Sequence, residues 1–373
     1  MLINKGEWGQ NHDFLQHEFC PCASCDMRQD HVSSWRFATS YADMKIQGSL
    51  NMNLSLNLAT AAFVIFLAPL QTHADDVFLG GRAKSVGVFT VEEEDDRLLV
   101  SLQDHAVAQF VFRDEKILRP YFANLHTPHG LQVTRNHPPI DGTDAIDHDT
   151  MHPGVWLGFG DISGNDYWRN KSRIAHLRFT EPPSAKGDKL SFATESQLLT
   201  SDGQPLCRLI CRFTLASRPS GWLLIWDATF HADKSDFAIG DQEEMGFGAR
   251  VATSMTEKNG GRIVNSVGLK TAAKTWGQPA KWCDYAGTVG DLKGGITLMA
   301  APSNFRESWW HNRDYGVFVA NPFGRAAMQQ GERSVVTVKR GESLRIIFGA
   351  LMHDGNTIDV AAEYSEFEKL VKR

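Results

Sequence analysis

Short runs in which apolar and polar positions alternate recur along the chain from residue 111 onwards. They are VFRDEKILRPYF (111–122), IAHLRFTE (174–181), KLSFATESQLLT (189–200), LCRLICRFTLAS (206–217), GWLLIWDATFHA (221–232), ITLMAAP (296–302), YGVFVANPF (315–323) and RSVVTVKRGESLRIIFGALMHDG (333–355). A period of two is that of a strand with one buried face, and these runs are rich in Val, Ile, Phe, Leu and Thr. DGQP, RPSG, KNGG, DLKGG and RGES separate or interrupt them and suit turns. GWLLIWDATFHA alternates only partly, which predicts a strand covered on both faces. One segment has a helical period: Val360, Tyr364, Phe367, Leu370 and Val371 recur at three- and four-residue steps across Asp359–Lys372. The pattern predicts an all-β protein, a large antiparallel β-sandwich with a short C-terminal helix. A parallel α/β fold needs helices between the strands, and the pattern has none.

The N-terminal part reads differently. Leu58–Leu70 is an apolar run of 13 residues, too short to span a bilayer comfortably. Lys45 precedes it and Thr72-His73-Ala74 ends it, the layout of a secretory signal with a small-x-small cleavage site. Residues 44–74 are therefore expected to be a signal peptide and 1–43 a non-native, disordered upstream extension. Residues 75–373 are expected to form one domain, periplasmic or secreted. A rival reading of the first segment makes Cys20, Cys22 and Cys25, with His12, His17 and His31, a metal knuckle. Three cysteines follow residue 75. Cys207 and Cys211 lie about 13 Å apart along a strand, too far for a disulfide between them, so buried free thiols are expected.

Composition narrows the function. The 373 residues carry 38 basic and 44 acidic side chains, a net charge of −6, with no basic block. Nucleic-acid binding has no electrostatic footprint here. Residues 75–373 contain no run long enough for a membrane span. Nucleotide and hydrolase fingerprints such as G-x-x-x-x-G-K-[ST], H-E-x-x-H and G-x-S-x-G are absent.

The densest chemistry lies in DAIDHDTMHPGVWLGFGDISGNDYW (144–168). His148 and His152, flanked by carboxylates, suit general acid and base roles. Trp156 and Trp168 offer flat faces to a sugar ring, and Asp161 and Asp166 offer hydroxyl acceptors. His126 and Arg135 lie just upstream and are expected to reach the same loop. In DQEEMGFGAR (241–250), Glu243 is the expected carboxylate partner of an imidazole. APSNFRESWWHNRDYG (301–316) supplies Arg306, His311 and Arg313 for hydroxyl or acidic groups. Of its adjacent indoles, one is expected to pack inward; Trp310 is taken as the platform. No cofactor is required by these residues, and no metal set is assigned.

The segments RPYFANLHTPHGLQVTRNHPP, DHDTMHPGVWLGFGDISGNDYW, RIAHLRF, DQEEMGFGARV and WHNRDYGVFVANPFG resemble a family of uncharacterised exported bacterial proteins labelled methane oxygenase PmoA, or PmoA-like. That family usually reads D-H-P-H-H-R-G where this chain has Asp147-His148-Asp149-Thr150-Met151-His152-Pro153-Gly154. His148 and Gly154 align, and His152 matches the second of a histidine pair. Met151 replaces the first histidine and Pro153 the arginine, so a three-histidine metal site would lack one ligand here. In strand-rich layout the family also resembles the supersandwich of galactose mutarotases. The resemblance implies a carbohydrate-active enzyme of hydrolase, lyase or epimerase type. The alternatives are a non-catalytic glycan-binding protein and, from the PmoA label, a metal-dependent oxidoreductase.

Overall fold

All but one of the alternating runs form strands, and the strands form two large antiparallel sheets; the run at 111–122 is irregular chain over residues 112–120, between two strands. The computed structural model describes residues 88–355 and 358–372. The stretch 1–43 with its three cysteines, the signal read at 44–74, and residues 75–87 lie outside the described residues. In chain order the strands are β1 (Phe89–Glu93), β2 (Arg97–Leu102), β3 (His105–Val111), β4 (Tyr121–Ala123), β5 (Val155–Gly158), β6 (Ile174–Lys186), β7 (Lys189–Leu199), β8 (Pro205–Arg218) and β9 (Gly221–His231). They continue as β10 (Phe237–Ile239), β11 (Gly246–Arg250), β12 (Arg262–Asn265), β13 (Trp282–Val289), β14 (Leu292–Ala300), β15 (Trp309–Asn312), β16 (Val317–Asn321), β17 (Val336–Val338) and β18 (Ser343–Asp354). Two α-helices join them among the described residues, α1 (Ala272–Thr275) and α2 (Val360–Val371).

The first sheet runs β1-β2-β3-β4-β5-β11-β16-β15 and the second β12-β13-β14-β18-β9-β8-β7-β6, with β10 and β17 as a separate pair. The fold is therefore the expected all-β antiparallel sandwich with a short C-terminal helix. The inner faces of the two sheets share one core. Phe110 and Phe122 of the first sheet meet Phe192, Phe213 and Trp226 of the second, with ring centroids 4.8–5.8 Å apart. Each such ring contributes about 1.5–3 kcal/mol by leaving water.

β9 explains its own broken alternation. Its Trp222, Leu224, Trp226, Ala228 and Phe230 face the sandwich core. Leu223 and Ile225 face the other way and are covered by Tyr364 and Phe367 of α2. Asp359 caps that helix, its carboxylate accepting from Ala362 N–H at 3.0 Å. The three cysteines are free and buried, as expected. Burial pushes the Cys207 and Cys211 thiols up to about 12, which makes them inert.

Candidate functional site

The outer face of the first sheet carries the chemistry. In β11, Phe247 and Ala249 point into the core, so Gly248 and Arg250 point out; in β16, Phe318 and Ala320 point in, so Val317 and Val319 point out. Strand register then aligns Tyr121, Trp156, Gly248, Val319 and His311 in one row across five neighbouring strands. Segments far apart in sequence thereby share a surface. A second apolar cluster lies on this face, built on Trp156, Trp168, Val317 and Val319, with Met151 and Tyr315 at its edge.

Two glycines make room for the indoles. A Cβ on Gly248 would sit 2.8 Å from Trp156 ring atoms, and one on Gly158 would sit 2.6 Å from Trp168 Cε3. Both strands are therefore bare where a ring lies against them. Gly248→Ala is expected to destabilise the protein by about 1–3 kcal/mol through overpacking. Thermal unfolding measures this, and an unchanged midpoint would mean that Trp156 slides aside freely.

One end of the face is a loop held by buried arginines. Arg135 is 1% exposed and donates to the carbonyls of Ala145 and Asp147 at 2.7 and 2.6 Å, with longer contacts to those of His148 and His152. Arg250 forks onto both oxygens of Asp147 at 2.9 and 3.1 Å and donates to His152 Nδ1 at 3.2 Å. The His152 ring stacks on Trp156, with centroids 5.2 Å apart and planes 13° apart. Burial, and then the neighbouring Arg250 charge, push the His152 pKa well below its ordinary value, so it is neutral. Burial opposes ionisation of Asp147, but hydrogen bonds from Arg250 and His148 outweigh it and hold the carboxyl far below the usual range. His148 donates to Asp147 Oδ2 at 2.9 Å from a left-handed backbone (φ +49), and its side chain is 48% exposed. Its ring is the accessible imidazole of the loop.

The other end is a buried histidine between two half-buried glutamates. His311 Nδ1 donates to Glu243 Oε1 at 2.9 Å, and Trp276 and Arg313 donate to the same oxygen at 2.7 and 2.5 Å. The His311 hydrogen bond is the largest cause that lowers the Glu243 pKa, to about 2. Glu243 is thus a fixed anion. Glu244 Oε2 accepts from Trp168 Nε1 at 3.0 Å, while its Oε1 lies 3.6 Å from His311 Nε2, which has no hydrogen-bond partner among the described residues. Trp168, 5.5 Å from the His152 ring, links the two ends. Tyr315 lies over Arg250, 4.8 Å from ring centroid to guanidinium carbon. Burial and then the Glu244 charge raise its pKa.

Several expected ligand contacts are corrected. Trp310 is fully buried in the sandwich core and donates to Ala280 O at 2.9 Å; its neighbour Trp309 has the outward phase shared with His311. Trp156 and Trp168 are also buried, under His152 and Arg119, and support the site from beneath. Arg135 spends its guanidinium on loop carbonyls, and His311 is shielded by the glutamates. Asp161 and Asp166 accept from nearby backbone N–H groups and shape turns. His126 donates from Nδ1 to Asn124 O, while its own carbonyl accepts from Trp222. Arg306 donates to Pro322 O and Ser334 Oγ. The face brings together His148, His152, Glu243, His311 and Arg313. Arg250, Glu244, Tyr315 and Trp276 join them without having been selected from sequence. Arg250 was legible only as the last outward residue of a G-x-G-x-R phase in β11.

No helix among the described residues is long and apolar enough to cross a membrane. No curated protein matches the chain. Solved structures similar to it include the alpha-galactosidase from Lactobacillus brevis, at 8% identity and a TM-score of 0.36 over 72% of this chain. A galactose mutarotase-like protein from Lactobacillus casei is similar at 9% identity and 0.32, over 71% of this chain and 100% of its own. A TPR-domain containing protein from Parabacteroides distasonis is similar at 10% identity and 0.35, over 73% of this chain and 48% of its own. The chain spans 40% of the length of the alpha-galactosidase. The family of unknown function DUF6807 matches residues 97–365, and the chain belongs to that family.

Proposed function

We propose that this protein is an exported carbohydrate-active enzyme of hydrolase, lyase or epimerase type, acting on a sugar or glycan fragment by acid–base chemistry. The observation that carries the reading is the shared outer face. On it stand an accessible imidazole oriented by a carboxylate, two glutamates around a buried histidine, and two half-buried aromatic rings, Tyr315 and Trp276. His148, held by Asp147, exchanges a proton at its free nitrogen. Glu244 exchanges one at Oε1, with His311 Nε2 behind it as a second resting place. Glu243 and Arg313 hold hydroxyl groups, and Tyr315 and Trp276 stack on the sugar's apolar face. His152 and Arg250 keep Asp147 and the loop in place.

The test is incubation of the purified chain with a panel of oligosaccharides, followed by reducing-end release and by NMR of the anomeric protons. Turnover by wild type, reduced about 10²-fold or more in Glu244→Gln with binding retained, supports the reading. Binding without turnover in wild type would make the protein a glycan-binding module instead. Export is tested by N-terminal sequencing of the protein recovered outside the cytoplasm, where cleavage after Ala74 is expected.

A metal-dependent oxidoreductase of the PmoA-like kind is the second reading. Ligand atoms of Asp147, His148 and His152 lie within 4.8 Å of one another. The donor set does not fit it well: both Asp147 oxygens and His152 Nδ1 already face the Arg250 guanidinium, whose charge opposes a cation.

A further inference from the structure

Beyond the end of the outer face defined by Tyr121 lies a groove of about 670 Å³ between the segment that follows β3 and the start of β6. Arg113, Lys116 and Arg173 line it, and all three are exposed. Arg113 donates to Asp95 O and Arg173 to Asp114 O, but none of the three meets a carboxylate among the described residues. The groove's own acids are largely committed. Asp96 is paired with Arg97, and Asp114 accepts from Tyr121 Oη at 2.6 Å and from the Lys116 and Ile117 N–H groups. Asp114, an anion bonded only to neutral donors, and Glu115 are left to offset three exposed cations.

The floor is aromatic. The His176 ring lies 4.7 Å from Phe112 and 5.1 Å from Phe179. Its Nδ1 is buried without a partner among the described residues. Burial and then Arg113 lower its pKa to about 4, so it is neutral and does not add to the charge. Arg119, 2% exposed, also lines the groove, its Nε without a partner among the described residues. Its guanidinium stacks on Trp168 at 5.1 Å, which joins the groove to the face described above. Past His176 the wall turns acidic, with Glu93, Glu94 and Asp95. That wall sets a limit to where an anion fits.

We infer that this groove is a subsite for an anionic saccharide unit, its carboxylate or sulfate held by Arg113, Lys116 and Arg173 and its ring set against His176. Arginine and lysine without carboxylate partners are the groups that bind such anions with least competition. The anionic preference stands on the groove alone; the saccharide part rests on the carbohydrate reading of the neighbouring face.

Calorimetric titration of the full chain at low salt tests it with three probes: trigalacturonate, neutral galactotriose and inorganic sulfate. Trigalacturonate is expected to bind at least about tenfold more tightly than galactotriose and to weaken as salt rises. Arg113→Gln/Lys116→Gln/Arg173→Gln should lose about tenfold or more with unfolding unchanged, because all three side chains are exposed. Equal binding of galactotriose, or an unaffected triple variant, overturns the charge assignment. Sulfate bound as tightly as trigalacturonate overturns the saccharide assignment while leaving an anion site. Absence of binding by every probe overturns the subsite, whatever the turnover experiment shows.

Discussion

His148→Asn is expected to lower turnover by about 10²–10⁴-fold, the range for removal of a positioned general acid or base. The ring is the accessible imidazole of the loop, and Asp147 fixes its orientation. Asparagine is the informative replacement because His148 occupies the left-handed region, which asparagine tolerates better than alanine does. Stability should change by no more than about 0.5 kcal/mol, as for other exposed positions. The measurement is kcat on the glycan found by the oligosaccharide panel, with the urea midpoint as control. Full activity in a folded variant would remove His148 from the chemistry.

Asp147→Asn should have the largest effect on folding. Among the described residues, Asp147 is the one carboxylate that either Arg135 or Arg250 contacts, and those side chains are 1% and 2% exposed. Removing the anion leaves two buried guanidiniums without a counter-charge, a loss of about 1–3 kcal/mol because Asp147 itself is partly screened by solvent. The pH dependence follows from the same groups. Asp147 has a folded pKa below its unfolded value near 4, so its stabilisation is complete above that value and is lost as pH falls below it. His152 has a folded pKa well below its unfolded value near 6.5, so acid favours the unfolded chain, which takes up the proton first. Stability should therefore decline from about pH 6.5 downwards and more steeply below about 4. Urea midpoints against pH measure this: Asp147→Asn should start lower and lose the steep lower branch. A variant as stable as wild type with the same acid profile would show that the arginine pair does not organise this loop.

These expectations divide the site by depth. At the surface stand His148, Glu243, Glu244, Arg313, Tyr315 and Trp276, where a ligand can reach them. Beneath lie His152, His311, Trp156, Trp168, Arg135 and Arg250, which set their orientation. Buried, hydrogen-bonded supports of this kind restrict the rotamers of the groups above them. An unsatisfied partner below then costs more than a missing group above.

Much of the architecture was legible because a period of two states which residues share a face. The runs at 189–200, 206–217 and 221–232 became β7, β8 and β9, and the three-four spacing after Asp359 became α2. The chemistry-bearing stretches around His148, Glu243 and His311 were also visible as clusters of imidazole, carboxylate and glycine. Alternation is silent on two matters. It does not say which face turns inward, so Trp310 was read as a platform although its phase places it in the core with Ala320 opposite. It does not say which strands are neighbours, because pairing between segments far apart in the chain is chosen by packing across the whole sandwich. That pairing, β5 beside β11 beside β16 beside β15, carries Glu243 and His311 to the same face as Asp147 and His148. It also buries Arg135, turning a residue that read as a ligand contact into a support, and buries Arg250 beside it. Local order follows from local sequence; the meeting of distant side chains follows from which surfaces lose water together.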